Sequence, residues 1–306
     1  TLLCRYNVLS ESQSYRITTG VCTGKDSVLT NVEMEFASLN GTDFYYEVAG
    51  SGSPLVLIHA GICDSRMWDE QFAHFAESHR VFRYDMRGYG QTDPVDVPYA
   101  HHEDLRALLD HWEIEQAHLV GCSMGGSTAL DFALAYPDRV RSLTVVCAEP
   151  GGYEDVDEQG EPIEEEIPDQ WDQIVEAFRL GAYESVAEWE VRFWVVGPDR
   201  TPDQVDPAVR RKVYEMNVIA LRNEAQELGE NQPLDPPAAE RLGELTCPTQ
   251  IIIGALDQSV MRRAADLMAN TIAGAQKVVI PETAHLPSME QPLQFNQILS
   301  TFLAGL

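Results

Sequence analysis

A chain of 306 residues, 44% of them hydrophobic, can hold one large α/β domain or a core with an insertion, and it excludes global disorder. The formal net charge of −28, with lysine only at Lys25, Lys212 and Lys277, argues against nucleic-acid and anionic-membrane partners, which need basic patches. No run approaches the ~18 apolar residues of a membrane span, and six cysteines without metal-ligand or redox spacing suit a reducing compartment, so a cytoplasmic protein is expected.

Residues 1–31 are polar, lack clear periodicity and begin without methionine; they read as an accessory arm or a vector-derived leader, in which Cys4 and Cys22 could pair. Organised structure is expected from residue 32. The alternating runs of "VEMEFASLNGTDFYYEVAG" (32–50) flank Asn40-Gly41, a strong hairpin signal. "PLVLIHA" (54–60) reads as a strand apolar on both faces, "MWDEQFAHFAES" (67–78) as an amphipathic helix and "RVFRYDM" (80–86) as the next strand. A helix is expected over 101–112, a strand over 117–122, a helix over 124–136 halted by Pro137, and a strand over 140–150. This alternation predicts a mostly parallel sheet covered by helices on both faces, its first part spanning 32–150. The rhythm breaks over 151–242, an acidic, Pro- and Trp-containing stretch without strand candidates, expected to be an inserted helical cap. A second core part, 243–306, resumes with a strand over 248–257, a helix over 262–272, a strand over 276–285 and a closing helix over 292–306.

The segment "HLVGCSMGGSTALDF" (118–132) places Ser123 in a G-x-S-x-G pattern between a predicted strand and a predicted helix. Flanking side chains would clash in the sharp turn that lifts a serine nucleophile off the sheet, and Gly121 and Gly125 remove them; the alternative is an ordinary serine in a Gly-rich loop. A serine nucleophile needs a base held by a carboxylate. His285 and Asp257 both follow predicted strands, and parallel strands carry such loops to one sheet edge. Glu149 competes with Asp257 for the carboxylate role, while His59 is expected to shape its loop rather than act as the base. The oxyanion hole is expected from the N–H groups of Met124 and Gly61, with Ile62 as the near alternative.

On "LVLIHAGICDSRMWDEQ", "FRYDMRGYGQTDP", "VGCSMGG", "IIIGALD" and "IPETAHLPSMEQP", the chain over 32–306 resembles the α/β-hydrolase superfamily, in the capped group of serine esterases, enol-lactonases and carbon–carbon bond hydrolases. Ala60 stands where the group usually has glycine, and Cys122 where histidine is common. The resemblance implies the α/β-hydrolase fold, carboxylic ester hydrolysis through an acyl-enzyme on Ser123, a small-molecule ester substrate, and neither metal nor organic cofactor. Enol-lactone or carbon–carbon bond hydrolysis by the same residues, and a non-catalytic ligand-binding module, are the alternatives. Within the expected cap, Trp189, Phe193 and Trp194, together with Ile62, are candidates for the acyl pocket, and Arg192 for contact with a substrate carboxylate.

Overall fold

The computed structural model describes residues 21–23, 27–29, 32–156, 161–163 and 171–306. The suggested Cys4–Cys22 pairing and most of the acidic run after Tyr153 lie outside the described residues. Strands β1 (Val21–Thr23) and β2 (Ser27–Leu29) form a small antiparallel pair where the sequence suggested no element. The main sheet opens with the hairpin β3 (Glu33–Leu39) and β4 (Thr42–Gly50). Asn40 and Gly41 at its tip have φ of 47° and 84°, the left-handed pair that matches a two-residue turn to strand twist.

The chain then alternates through β5 (Ser53–Ile58), α1 (Asp69–Phe75), β6 (His79–Tyr84), α2 (His101–His111), β7 (Ala117–Cys122), α3 (Met124–Ala135) and β8 (Val140–Val146). Between β8 and β9 (Thr249–Gly254) the described elements are helical: α4 (Trp171–Arg179), α5 (Tyr183–Glu190), a π-helical turn over Val191–Val196, α6 (Pro207–Glu224), α7 (Ala238–Arg241) and short 3-10 turns. The fold closes with α8 (Ser259–Thr271), β10 (Gln276–Ile280), α9 (Pro287–Glu290) and α10 (Pro292–Ala304). Among the described residues, no helix is long and apolar enough to cross a membrane.

The eight strands run in the order β10-β9-β8-β7-β5-β6-β4-β3, all parallel except β4, which opposes both its neighbours. Leu55, Val56, Leu57 and Ile58 of the central β5 are fully buried, as an apolar run flanked by strands and covered on both faces must be. Helix α3 packs on β7 and β8, α8 on β9 and β10, and α1 on β6. Two expected strands stop early. The expected 140–150 strand ends at Val146 because Cys147 adopts φ 45°, and the expected 276–285 strand ends at Ile280, before a turn that begins at Pro281.

A charge network, buried at Arg83 and Glu47 and half-buried at Asp69 and Lys212, ties the long helical segment to the core. Arg83 pairs with Glu47 at 2.7 Å and with Asp69 of α1, whose other oxygen takes Lys212 of α6 at 2.7 Å. Removing one partner of such a buried pair leaves an uncompensated charge, at a cost of about 3–5 kcal/mol.

Candidate active site

Ser123 joins β7 to α3 with φ 51° and ψ −121°, a conformation that L-residues other than glycine adopt only under constraint. Its N–H donates to Val146 O at 2.9 Å, and its own carbonyl accepts from Gly126 and Ser127 at 2.7 and 2.9 Å, so the turn is held from both sides. The glycines around it answer to space. A Cβ on Gly121 would lie 2.1 Å from Gly125 O, and one on Gly125 would lie 2.4 Å from Ile58 O. Neither contact leaves room for a methyl group, which is the reason the sequence spends glycine at both positions.

Asp257 follows β9 and His285 follows β10, at the same sheet edge as the end of β7. His285 Nδ1 lies 3.0 and 3.1 Å from the two Asp257 carboxylate oxygens, and both side chains are buried. Asp257 Oδ1 also accepts the Gln258 N–H at 2.8 Å, which fixes the carboxylate plane. The pairing occupies Nδ1 and leaves Nε2 as the nitrogen available for proton transfer. It also removes the need for Glu149, whose carbonyl instead accepts the Ser127 hydroxyl at 2.7 Å. The serine turn and the histidine loop abut: Cys122 Sγ lies 3.7 Å from His285 O, and Cys147 Sγ lies 3.7 Å from Ala284 O. Ligand atoms of Cys147, Asp257 and His285 lie within 4.8 Å of one another, a donor set of the kind metals use. Burial pushes the Cys147 thiol well up, however, and a protonated thiol is a poor metal ligand.

The loop after β5 turns tightly, with the Cys63 N–H donating to Ala60 O at 3.0 Å and Gly61 and Ile62 at the tip. Gly61 sits against Met124: a Cβ there would come 3.7 Å from Met124 Cβ. Met124 opens α3, where first-turn N–H groups lack helical acceptors. The two residues expected to supply the oxyanion donors are therefore neighbours in space. His59 is the strut of this loop. Its Nε2 accepts the Met86 N–H at 2.9 Å, so Nδ1 carries the proton and donates to Ala60 O at 2.8 Å. Burial lowers it to about 4, which keeps it neutral and unsuited to act as the base. The "DMRGYGQT" stretch braces the floor beneath: Asp85 accepts from the Ser65 and Gln91 N–H groups at 2.8 Å, and Arg87 grips Asp104 at 3.0 and 3.1 Å.

The expected pocket residues separate by distance. The Trp194 ring packs against His285 at a centroid distance of 4.5 Å, Phe193 meets Trp194 at 4.8 Å, and Trp189 stacks on Phe193 at 5.1 Å. Ile62 is half-buried at the oxyanion loop and packs on the core. The rings lead from His285 to a cleft of about 530 Å³ whose lining includes Trp171, Phe178, Trp189, Glu190 and Glu224. Arg192 is exposed and donates to Gly197 O at 2.9 Å, so it serves the end of the π-helical turn. Tyr89, missing from the sequence reading, has its hydroxyl 3.6 Å from Met124 Sδ and its ring 5.1 Å from that of His59. Its place in the Gly-flanked "RGYGQ" run was the available signal.

A model of the α/β hydrolase fold matches residues 53–292. Among curated proteins, 3-oxoadipate enol-lactonase 1 of Acinetobacter baylyi is 28% identical over 246 residues, covering 79% of this chain and 85% of that protein. Rhodomycin D methylesterase DauP of Streptomyces sp. (strain C5) is 29% identical over 267 residues, covering 79% and 88%. Among solved structures, an esterase from Exiguobacterium antarcticum superposes with a TM-score of 0.71 at 22% identity, covering 88% of this chain and 98% of that one.

Proposed function

The chain belongs to the α/β hydrolase fold family, and on that premise we propose that it hydrolyses small carboxylic esters through an acyl-enzyme on Ser123. The observation that carries this reading is the buried His285–Asp257 pair at 3.0 Å, beside a serine held at φ 51° on the same sheet edge. His285 Nε2 takes the Ser123 proton as the hydroxyl oxygen attacks the ester carbonyl, and Asp257 stabilises the imidazolium. The N–H groups of Gly61 and Met124 receive the oxyanion, each such donor contributing about 3 kcal/mol to the transition state. The tetrahedral intermediate collapses as His285 returns its proton to the leaving alcohol. His285 then deprotonates a water that attacks the acyl-enzyme, and Ser123 recovers its proton as the acid leaves. Every step is proton or acyl transfer among these side chains, substrate and water.

Residues 151–242 act as the cap in this reading, with Trp194, Phe193 and Trp189 lining the path of the acyl group. The comparison proteins include an enol-lactonase and a methylesterase. A neutral ester is favoured over an anionic lactone by two features: Arg192 is engaged at Gly197, and Glu190 and Glu224 line the adjoining cleft. A fluorophosphonate probe with peptide mapping tests the nucleophile, and p-nitrophenyl esters of graded acyl length beside one enol-lactone and one ring-cleavage product test the substrate. Labelling confined to Ser123 and turnover led by the neutral esters are expected. An unmodified Ser123 in the folded protein, or hydrolysis of the lactone alone, overturns the reading.

A further inference from the structure

Arg200 lies between the π-helical turn and α6, and the chemistry above makes no use of it, yet it is buried and fully engaged. Its Nε donates to Val196 O and its Nη2 to Val195 O, both at 2.8 Å, which closes the end of the turn that carries Trp194. Its Nη1 donates to Glu282 O at 2.9 Å and pairs with Glu290 Oε2 at 2.7 Å. The other Glu290 oxygen accepts the N–H of Ala284, the residue before His285, at 2.8 Å. Gly197, at φ 79°, lies between these groups, where a Cβ would fall 2.7 Å from Leu256 O and 3.2 Å from Ala284 Cβ. One guanidinium therefore joins the helical segment to both ends of the loop that presents His285.

We propose that Arg200 and Glu290 are positioning residues, a buried clamp that seats the His285 loop against the helical segment and balances charge beside the His285–Asp257 pair. The proposal rests on the reading of His285 as the base. Stability alone is a weak reason for such a pair, because apolar residues of similar volume usually serve as well. The surroundings supply a better one. Burial pushes the Glu290 carboxyl up, Arg200 pulls it down, and the Asp257 charge is near enough to push it up again. The groups facing His285 are Asp257 from the loop after β9, the thiols of Cys122 and Cys147, and the neutral Trp194 ring. Burial keeps both thiols protonated, so across neutral pH the clamp is the adjustable charge.

Neutralising each half then has its own outcome. Arg200→Gln removes the group that holds the Glu290 carboxyl down, so the buried Glu290 takes up a proton and the His285 titration stays close to wild type. Glu290→Gln leaves a guanidinium that disfavours the imidazolium, and the titration moves lower. The full chain is compared with both variants and with the double variant by NMR titration of the His285 imidazole, assigned through His285→Asn, alongside kcat/KM against pH for p-nitrophenyl acetate. A displacement of about half a unit or more to lower pH is expected for Glu290→Gln alone, with Arg200→Gln and the double variant close to wild type. Arg200→Lys keeps the charge but loses the fork, so it should leave the titration in place while kcat falls about five-fold. An upward displacement or none in Glu290→Gln, or unchanged kcat in Arg200→Lys, overturns the clamp. The NMR readout does not depend on turnover: a wild type that hydrolyses no ester while the titrations still separate overturns the ester reading and leaves the charge balance standing.

Discussion

Replacing Asp257 by Asn tests the proposed triad with the least disturbance of shape. The Asp257 carboxylate offers two oxygens to His285 Nδ1, at 3.0 and 3.1 Å, and Oδ1 is also held by the Gln258 N–H at 2.8 Å. In the variant that N–H retains the amide oxygen at the Oδ1 position, which places the NH₂ group 3.1 Å from Nδ1. The NH₂ opposes an N–H at Nδ1, and the amide oxygen left at 3.0 Å is a weaker acceptor than the carboxylate, so the tautomer with its proton on Nε2 and Nδ1 as acceptor is favoured. The nitrogen that should take the Ser123 proton is then already protonated, and the negative charge that stabilised the imidazolium is gone. A change of this kind costs about 10⁴-fold in kcat, or about 5 kcal/mol of transition-state stabilisation. The assay is kcat for p-nitrophenyl acetate at pH 7, with thermal unfolding as the check on integrity. A folded variant that keeps activity within about ten-fold of wild type refutes Asp257 as the orienting acid and sends the question to Glu149→Gln.

Gly121→Ala drives a methyl group to 2.1 Å from Gly125 O, so a loss of about 3 kcal/mol in unfolding free energy, read by urea denaturation, is expected; a neutral effect would mean the turn relaxes freely. His59 has a sign in pH. It is lowered to about 4 in the native state against 6.5 when free, so its contribution is complete above 6.5 and drains as pH falls toward 4. His118, at about 4, and His101, at about 3, act in the same sense, while Asp85 and Asp131, each raised to about 6, return stability as they protonate below that value. His59→Gln isolates one contribution: between pH 7 and pH 5 the variant should lose about 2 kcal/mol less than wild type in urea unfolding, and an equal loss refutes the assignment. Trp189→Ala should lower kcat/KM for a hexanoyl ester relative to an acetyl ester by about ten-fold, since the cleft wall it forms would no longer meet the longer chain; an unchanged acyl-length profile removes Trp189 from the substrate path.

What could be read in the sequence follows from the range of the forces involved. The elbow was legible because a sterically crowded turn demands glycine at fixed offsets from Ser123, and local packing writes that demand into adjacent letters. Asp257 and His285 were legible because each follows a short apolar run that alternates with helical segments, the mark of a strand in an α/β chain. The Asn40-Gly41 hairpin has the same local character. Features settled by partners distant in the chain were not legible. β4 pairs with β6 rather than with β5, which slots inside between β6 and β7, and nothing within β4 encodes that choice. The expected end of the 140–150 strand was misplaced because the left-handed Cys147 carries a residue type that rarely signals such a bend. Arg192 is the basic residue that the sequence offers in the helical segment, yet Arg200, eight positions on, holds the buried contacts, and its partners Glu282 and Glu290 lie more than eighty residues away. The β1–β2 pair, at three residues a strand, falls below the length at which alternation gives a pattern.

The sheet's outer strand β10 bears on how this chain meets copies of itself. Its far edge has no strand beside it among the described residues, and Val279 is half exposed there. Such an edge is a template for another strand, and five residues offer only a short one. The Lys277 ammonium, paired with Asp266, adds a charge that an incoming strand would have to accommodate. An acidic surface supplies general repulsion in dilute buffer, but salt screens it within about 10 Å at 0.1 M, whereas the short, charged edge protects by shape and local chemistry. Lys277→Val removes that charge from the edge and leaves a strand with two exposed-face valines, so greater self-association of the variant than of the wild type in raised salt, read by sedimentation, is the expected outcome.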